Sequence, residues 1–154
     1  MARITCKTPS TGKAVSVSRT NVPASVTTIA EAPDFSVPDT SQAFATRDPL
    51  DAGRAIRPGE VFFLTPIYAR NKSAATATIT VELATEAGTS VSFAVVTVPA
   101  GETAAIPTQG MSLLKRIPGG LNGDRLRVTA SAANVFDVTG FAEEKLSSEH
   151  IGVV

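Results

Sequence analysis

The clearest alternation of apolar and polar residues lies near the C-terminal end of the chain. The segment RLRVTASA at residues 125–132 places Leu126 and Val128 on one face and arginine, threonine and serine on the other, the period of a strand with one buried face. After the polar break Ala133-Asn134, residues 135–141 are again rich in β-branched and aromatic residues. The pattern predicts a hairpin of two antiparallel strands, with Gly123-Asp124 as the turn before it and Asn134 in a left-handed conformation between its strands.

Further short segments with strand character precede this one. In the segment TATITVEL at residues 76–83, Ile79 and Val81 share one face, and we expect them inside with Leu126 and Val128. Pro66 interrupts an apolar segment and must lie at a bulge or an edge, because it cannot donate to a ladder. The other predicted strands are residues 25–30, 61–69, 90–98 and 103–107.

This succession of short strands and turns, without a sustained helical period, predicts an all-β fold. The expected architecture is an antiparallel β-sandwich, jelly-roll or immunoglobulin-like, or a flattened barrel. The sandwich domain is expected over residues 22–146, followed by a C-terminal tail at residues 147–154.

Residues 1–21 are predicted to form an extended N-terminal arm rather than part of the core. Large apolar residues are few there, and Arg3, Lys7, Lys13 and Arg19 have no acidic counterpart. Two alternatives are a disordered or loosely attached terminus and an arm that lies on a neighbouring subunit. In the second case, deletion of residues 1–21 is expected to leave a folded sandwich that no longer incorporates stably into particles.

Residues 34–59 are predicted to be an insertion loop, rich in proline and charge, with a short helix at residues 41–46. A loop of this length inside a compact domain is uncommon and is often functional. The alternatives are a solvated surface insertion and a binding loop.

Composition narrows the class of protein. The 154 residues fit one domain, and a net charge of zero gives no field that would attract nucleic acid or an anionic membrane. Aromatic residues are 5% of the chain and tryptophan is absent, which suits thin sheets with small side chains between them. The single cysteine, Cys6, excludes an intrachain disulfide. Without a signal-like or membrane-spanning apolar run, we expect a soluble protein made in the cytoplasm.

Candidate chemistry is sparse. The only histidine, His150, lies in the predicted tail, so neither a catalytic triad nor a zinc site can be built around it with one cysteine. Glu143 and Glu144 could act as paired carboxylates or hold a cation, but neighbours on a strand point to opposite faces. The glycine-rich residues 118–123 lack the lysine and helix of a phosphate loop. We therefore predict no catalytic, cofactor-binding or metal-binding residues, and no enzymatic activity.

Four segments of the chain follow one another in a recognisable order. They are VTTIAEAP at residues 26–33, RNKSAATAT at 70–78, VPAGET at 98–103, and GDRLRV with ASAAN at 123–134. Their order resembles a family of small structural proteins of tailed-bacteriophage virions, often encoded among tail and tail-fibre genes. The resemblance covers about two thirds of the chain. The segments before residue 22, at 34–59 and at 113–120 depart from it.

The resemblance implies a non-enzymatic virion component, without cofactor and made in the host bacterial cytoplasm. It would assemble as repeated copies at the tail, neck or capsid surface, with copies of itself and with tail, neck or major capsid proteins as partners. The alternatives are a capsid decoration or cement protein, or a host receptor- or glycan-binding module. Few aromatics, with Tyr68 the only tyrosine, argue against the last.

Charge supplies candidate contacts between subunits. The basic arm is complementary to the acids in the loop and near the end of the chain, which favours pairing between copies in a closed ring. The candidate subunit contacts are Arg3, Lys7, Lys13, Arg19, Asp48, Asp51, Arg54 and Arg57.

Overall fold

The computed structural model describes residues 13–38, 54–116 and 122–146, and these residues form strands and turns only. None of them lies in a helix long and apolar enough to span a membrane. The strands are β1 (Lys13–Arg19), β2 (Thr27–Glu31), β3 (Asp34–Pro38), β4 (Arg54–Phe63), β5 (Ile67–Asn71), β6 (Ala77–Ala84), β7 (Ser90–Val98), β8 (Thr103–Ile106), β9 (Ser112–Leu114), β10 (Arg125–Ala130) and β11 (Phe136–Leu146).

The strands form two antiparallel sheets, so the predicted all-β sandwich is confirmed. The larger sheet has seven strands, in the order β3-β4-β11-β5-β8, with β1 added to β11 and β9 to β4. Because Val138 and Thr139 of β11 pair with both β5 and β1, these two strands lie on opposite edges of β11. The smaller sheet has the order β2-β10-β6-β7.

The core lies between the sheets and consists mainly of aliphatic side chains. Leu126, Val128, Ile79 and Val81 are all fully buried, as the alternation predicts. They come from the neighbouring strands β10 and β6, in which Leu126 is opposite Leu83 and Val128 is opposite Val81. Of the large fully buried side chains in the described residues, Phe63 and Phe136 are aromatic and the others are isoleucine, leucine or valine, so aliphatic side chains fill most of the core.

Truncation of Val128 to alanine is expected to cost about 1–3 kcal/mol of the free energy of unfolding, through lost burial and a residual cavity. Arg127→Ala is the matched control on the outer face, where Nη2 of Arg127 lies 3.1 Å from Glu82 Oε2 and 2.7 Å from Ser90 Oγ. An accessible ion pair of this kind contributes about 0–1 kcal/mol. Urea denaturation measures both changes, and a larger penalty for Arg127 would contradict this assignment of faces.

The predicted C-terminal hairpin is wrong. Asn134 has the expected left-handed conformation, with φ of 65°, but β10 belongs to the smaller sheet and β11 to the larger one. The turn between them is held by other segments, because Ser131 N–H donates to the Thr78 carbonyl and Asn134 N–H to the Val22 carbonyl. The chain therefore crosses from one sheet to the other at the turn.

Pro66 divides the predicted strand at residues 61–69. β4 ends at Phe63 and β5 begins at Ile67, and both pair with β11, so Pro66 lies in a break of the ladder, as predicted. Gly140 of β11 lies against this break. A Cβ atom at position 140 would be 3.1 Å from Ile67 Cγ1, so the close approach of the chains favours glycine.

The boundary of the predicted N-terminal arm is corrected by the structure. Residues 13–19 are extended, but they form β1, which pairs with β11 of the same molecule from Lys13 opposite Glu144 to Arg19 opposite Val138. Val17 is buried in the core at 5% exposure, because its side chain falls on the inward face of β1. Residues 1–12 of the arm lie outside the described residues.

The predicted insertion loop is also corrected, because both of its ends are strands. β3 pairs with β4 from Asp34 opposite Pro58 to Pro38 opposite Arg54. Gly59 donates its N–H to the Pro33 carbonyl and accepts from Lys115 N–H, which joins this pair to the larger sheet. The helix predicted at residues 41–46, the 39–53 segment and the C-terminal tail lie outside the described residues.

Candidate functional site

The four predicted subunit contacts that the structure describes lie on two strands, β1 and β4. Lys13 and Arg19 are exposed at the two ends of β1, about 20 Å apart at roughly 3.3 Å per residue. Arg54 and Arg57 lie on β4, opposite Pro38 and Phe35 of β3. The remaining four, Arg3, Lys7, Asp48 and Asp51, lie outside the described residues.

Some of the charges expected to join copies are matched within one molecule. Lys13 is opposite Glu144 in the β1–β11 register. Asp34, at the start of the predicted loop, accepts from Lys115 with an Nζ to Oδ2 distance of 2.8 Å, and the Lys115 side chain is only 8% exposed. Charge complementarity along the sequence is thus used partly to hold the fold.

The candidate carboxylate pair does not form a site. Glu143 and Glu144 are neighbours on β11, opposite Phe62 and Val61 of β4, and their side chains leave opposite faces of the sheet. In the described ranges, no three His, Cys, Asp or Glu side chains are close enough to hold a metal ion. His150 lies outside those ranges.

The buried Asn71 joins two of the four segments on which the sequence resemblance rests, RNKSAATAT and VPAGET. Sequence reasoning missed this role. Its Nδ2 donates to the carbonyls of Val98 and Pro99, at 2.9 and 3.2 Å, and its backbone N–H to the Glu102 carbonyl at 2.9 Å. Oδ1 accepts from the backbone N–H of Ser73. RNKSAATAT and VPAGET are therefore the two sides of one turn junction, and Asn71 is fully buried in it. The asparagine at the end of an alternating strand was the available signal.

Gly123 lies at a second junction, where the chain enters β10. A Cβ atom there would lie 2.8 Å from the Ala32 carbonyl oxygen and 3.2 Å from Lys115 Cβ. Contacts this short require a shift of backbone, so glycine is needed for close packing and not for a left-handed turn. The glycine of the GDRLRV segment is therefore needed because the chain packs closely against Ala32 and Lys115.

Asp124 completes this second junction. Its carboxylate accepts the backbone N–H of Glu86 at 3.0 Å and of Leu114 at 3.2 Å, and Arg116 Nη1 lies 3.4 Å away. Its own backbone exchanges hydrogen bonds with Leu114 and Ala32. Asp124 is only 8% exposed. Its carboxylate accepts hydrogen bonds from backbone N–H groups of separate turns, which is a structural role rather than a catalytic one.

Asp137 on the outer face of β11 forms an exposed ion pair. Lys72 Nζ is 2.8 Å from its Oδ1, and the hydrogen bond from Lys72, with that from the Asn21 backbone N–H, lowers the pKa of the Asp137 carboxyl below its ordinary value. A lowered folded-state pKa stabilises the fold above the ordinary pKa, and this contribution disappears as the pH falls through the folded-state pKa. Because the pair is exposed, the effect on stability is small.

Exposed large apolar side chains fall into two groups and one single residue, Val26, in the described part of the chain. One group, the aromatic face, lies on the larger sheet and consists of Leu64, Tyr68 and Phe141, at 41%, 42% and 56% exposure. Tyr68 is opposite Thr139, two residues from Phe141 on the same face of β11.

The second group, the β7 edge, lies on the outermost strand of the smaller sheet. Its exposed apolar side chains are Val91, Phe93 and Val95, at 55%, 37% and 65% exposure. Val95 is opposite Thr80 and Val91 is opposite Leu83 of β6. These two surfaces are groups of apolar side chains that the described part of the fold leaves uncovered.

Comparison with known proteins adds little to this picture. No protein-family model matches the sequence, and no curated protein matches it. Among solved structures, a match is found to the crystallographic structure of the N-terminal CBM22-1–GH10 modules of endo-1,4-beta-D-xylanase 10B from Clostridium thermocellum, complexed with xylohexaose. It covers 94% of this chain and 30% of that one, with 10% identity and a TM-score of 0.36. A similarity of this size supports no conclusion about fold, ligand or activity.

Proposed function

We propose that the protein is a non-enzymatic structural component of a tailed-bacteriophage virion, present in repeated copies at the tail, neck or capsid surface. The ordered sequence segments that resemble small virion proteins support this proposal. One observation carries it: three residues of those segments, Asn71, Gly123 and Asp124, are buried at turn junctions, where they hold the fold together. What the chain has in common with that family is therefore a scaffold.

The surfaces left over by the fold also support a role in assembly. Tyr68 and Phe141 on the aromatic face, and Val95 on the β7 edge, are exposed on the outside of the sandwich, where a partner can cover them. Other copies of the chain and tail, neck or major capsid proteins are the proposed partners. Attachment at the capsid surface would make the chain a decoration or cement protein.

Immunogold electron microscopy of purified particles tests the proposal. Antibodies raised against the purified chain are expected to label particles at repeated positions, and the labelled position assigns the chain to tail, neck or capsid. Pre-absorption of the antibodies with the purified chain is the control and should remove the label. Particles from which the chain is absent by both labelling and mass spectrometry would contradict a structural role.

A second candidate function, recognition of a host glycan, rests on the aromatic face alone. Tyr68 and Phe141 lie near each other on a strand surface, with Arg70 and Asp137 opposite each other beside them. Aromatic rings flanked by a few polar groups are typical of ligand sites. Glycan binding that is lost in Tyr68→Ala and kept in Phe93→Ala would favour this function over a purely structural one.

A further inference from the structure

The β7 edge has neither the charge nor the proline that often keeps an outer strand from pairing with another molecule. β7 pairs with β6 along one edge, and no strand pairs with its other edge in the described part of the chain. Its sequence, SVSFAVVTV, contains nine residues without a charge or a proline. Native sheet edges are usually kept short, charged or interrupted by proline, because their free N–H and C=O groups can pair with another chain.

The other outer strands of the two sheets do show such protection. β1 carries Lys13 and Arg19 at its ends, β2 has five residues and ends in Glu31, and β8 has four residues. β7 is longer than any of them, and its only irregularity is a register shift opposite Val81 and Glu82 that leaves Phe93 unpaired. From Ala94 to Val98 the strand is regular, so a ladder of several hydrogen bonds can form on its free edge.

The exposed side chains of this strand point to a partner that is equally uncharged. Val95, at 65%, is the most exposed large apolar side chain in the described residues, and Val91 on the same strand is 55% exposed. A charged strand offered as a partner would lose hydration beside these side chains without gaining an ion pair. The chemistry of the edge thus favours an apolar, hydroxyl-rich strand.

We propose that β7 pairs with β7 of a second copy, antiparallel across a two-fold axis, so that two four-stranded sheets become one of eight strands. In such an isologous contact the two copies use the same strand, so that if residue i of one copy lies opposite residue j of the other, residue j also lies opposite residue i. An axis at Val95 places Val95 of each copy opposite Val95 of the other and Ala94 opposite Val96, within the regular part of the strand.

Charge favours a second copy at β7 and disfavours it at β1. The same two-fold pairing of β1 would place Lys13 of one copy beside Arg19 of the other, whereas β7 opposes no like charges. The ion pair described near β7 is Arg127–Glu82, at the Ser90 end of the strand. In the antiparallel arrangement this end meets the uncharged Val98 end of the partner.

The size of the contact sets its strength. Nine residues extend about 30 Å, and one added strand pair buries less than the roughly 1,200 Å² typical of stable complexes. The isolated dimer is therefore weak, with a dissociation constant in the roughly micromolar range or above, and many copies acting together would strengthen it. The inference names a surface for the self-association in the proposed function, but it does not depend on where in a particle the chain lies.

Sedimentation velocity of the full chain over a wide concentration range tests this pairing. The wild type is expected to shift from monomer to dimer as concentration rises, and Val95→Lys is expected to remain monomeric at concentrations at least about tenfold higher. Val26→Lys is the matched control, because Val26 is 50% exposed and lies away from β7, and it should dimerise like the wild type. Circular dichroism and thermal melting verify that each variant is folded.

Cysteine cross-linking tests the geometry independently. In a Cys6→Ser background, Val95→Cys should give a covalent dimer on mild oxidation, and Val26→Cys should not. A wild type that stays monomeric throughout, a dimer that Val95→Lys does not weaken, or equal cross-linking at both positions would overturn the proposal. A monomeric chain that still labels particles would overturn only the β7 pairing and leave the structural role in place.

Discussion

Deletion of residues 1–21 is expected to destabilise the sandwich strongly and to cause aggregation. The deletion removes β1, which covers one edge of β11 along seven register positions, and with it the buried Val17. Loss of a buried valine alone costs about 1.5–3 kcal/mol, a large part of the 5–15 kcal/mol that holds a typical domain together. The long strand β11 would then become an open edge, which promotes pairing between molecules.

Deletion of residues 1–12 is the matched control, because it removes none of the contacts described for β1. Thermal melting should give a midpoint within a few degrees of the full chain for this shorter deletion and a lost or strongly lowered transition for the longer one. If both truncated proteins melt like the full chain, β1 is dispensable and residues 1–21 act as the removable arm that the sequence alone suggests. The shorter deletion is therefore the one to use in assembly experiments.

Asp124→Ala is expected to lower the free energy of unfolding by about 3 kcal/mol. The carboxylate accepts from the backbone N–H groups of Leu114 and Glu86 in a nearly closed environment. Alanine leaves both donors without a partner, and each unsatisfied buried donor costs about 1–3 kcal/mol. The variant also leaves Arg116 without its nearby carboxylate.

Asp137→Ala is the control for this substitution, since Asp137 also accepts a backbone N–H and a basic side chain but is 34% exposed. Water replaces its hydrogen bonds, so the expected loss is about 0–1 kcal/mol. Guanidinium denaturation at neutral pH measures both variants. Equal losses would mean that burial of the carboxylate at position 124 does not matter and that the junction is held by other contacts.

Local alternation was a reliable guide to individual strands. The inward positions Ile79, Val81, Leu126 and Val128 were predictable because a strand with one buried face must alternate, whatever its partners are. The left-handed Asn134 and the break at Pro66 were predictable for the same reason, since each depends on the conformational preferences of one or two residues. The exposed apolar surfaces had no such local signal, because the exposed valines of β7 look in sequence like those of a buried strand.

The partners of each strand, by contrast, were decided only by the tertiary structure. Alternation assigns a face and not a neighbour, so β10 and β11 were expected to pair with each other although they lie in different sheets. β1 looked like an arm because its few apolar residues are small, yet β11 offers it an edge seven residues long. Asn71 and Asp124 hold segments far apart in sequence. Hydrogen bonds between distant segments depend on how the whole chain packs, and that information is not present in any short stretch of residues.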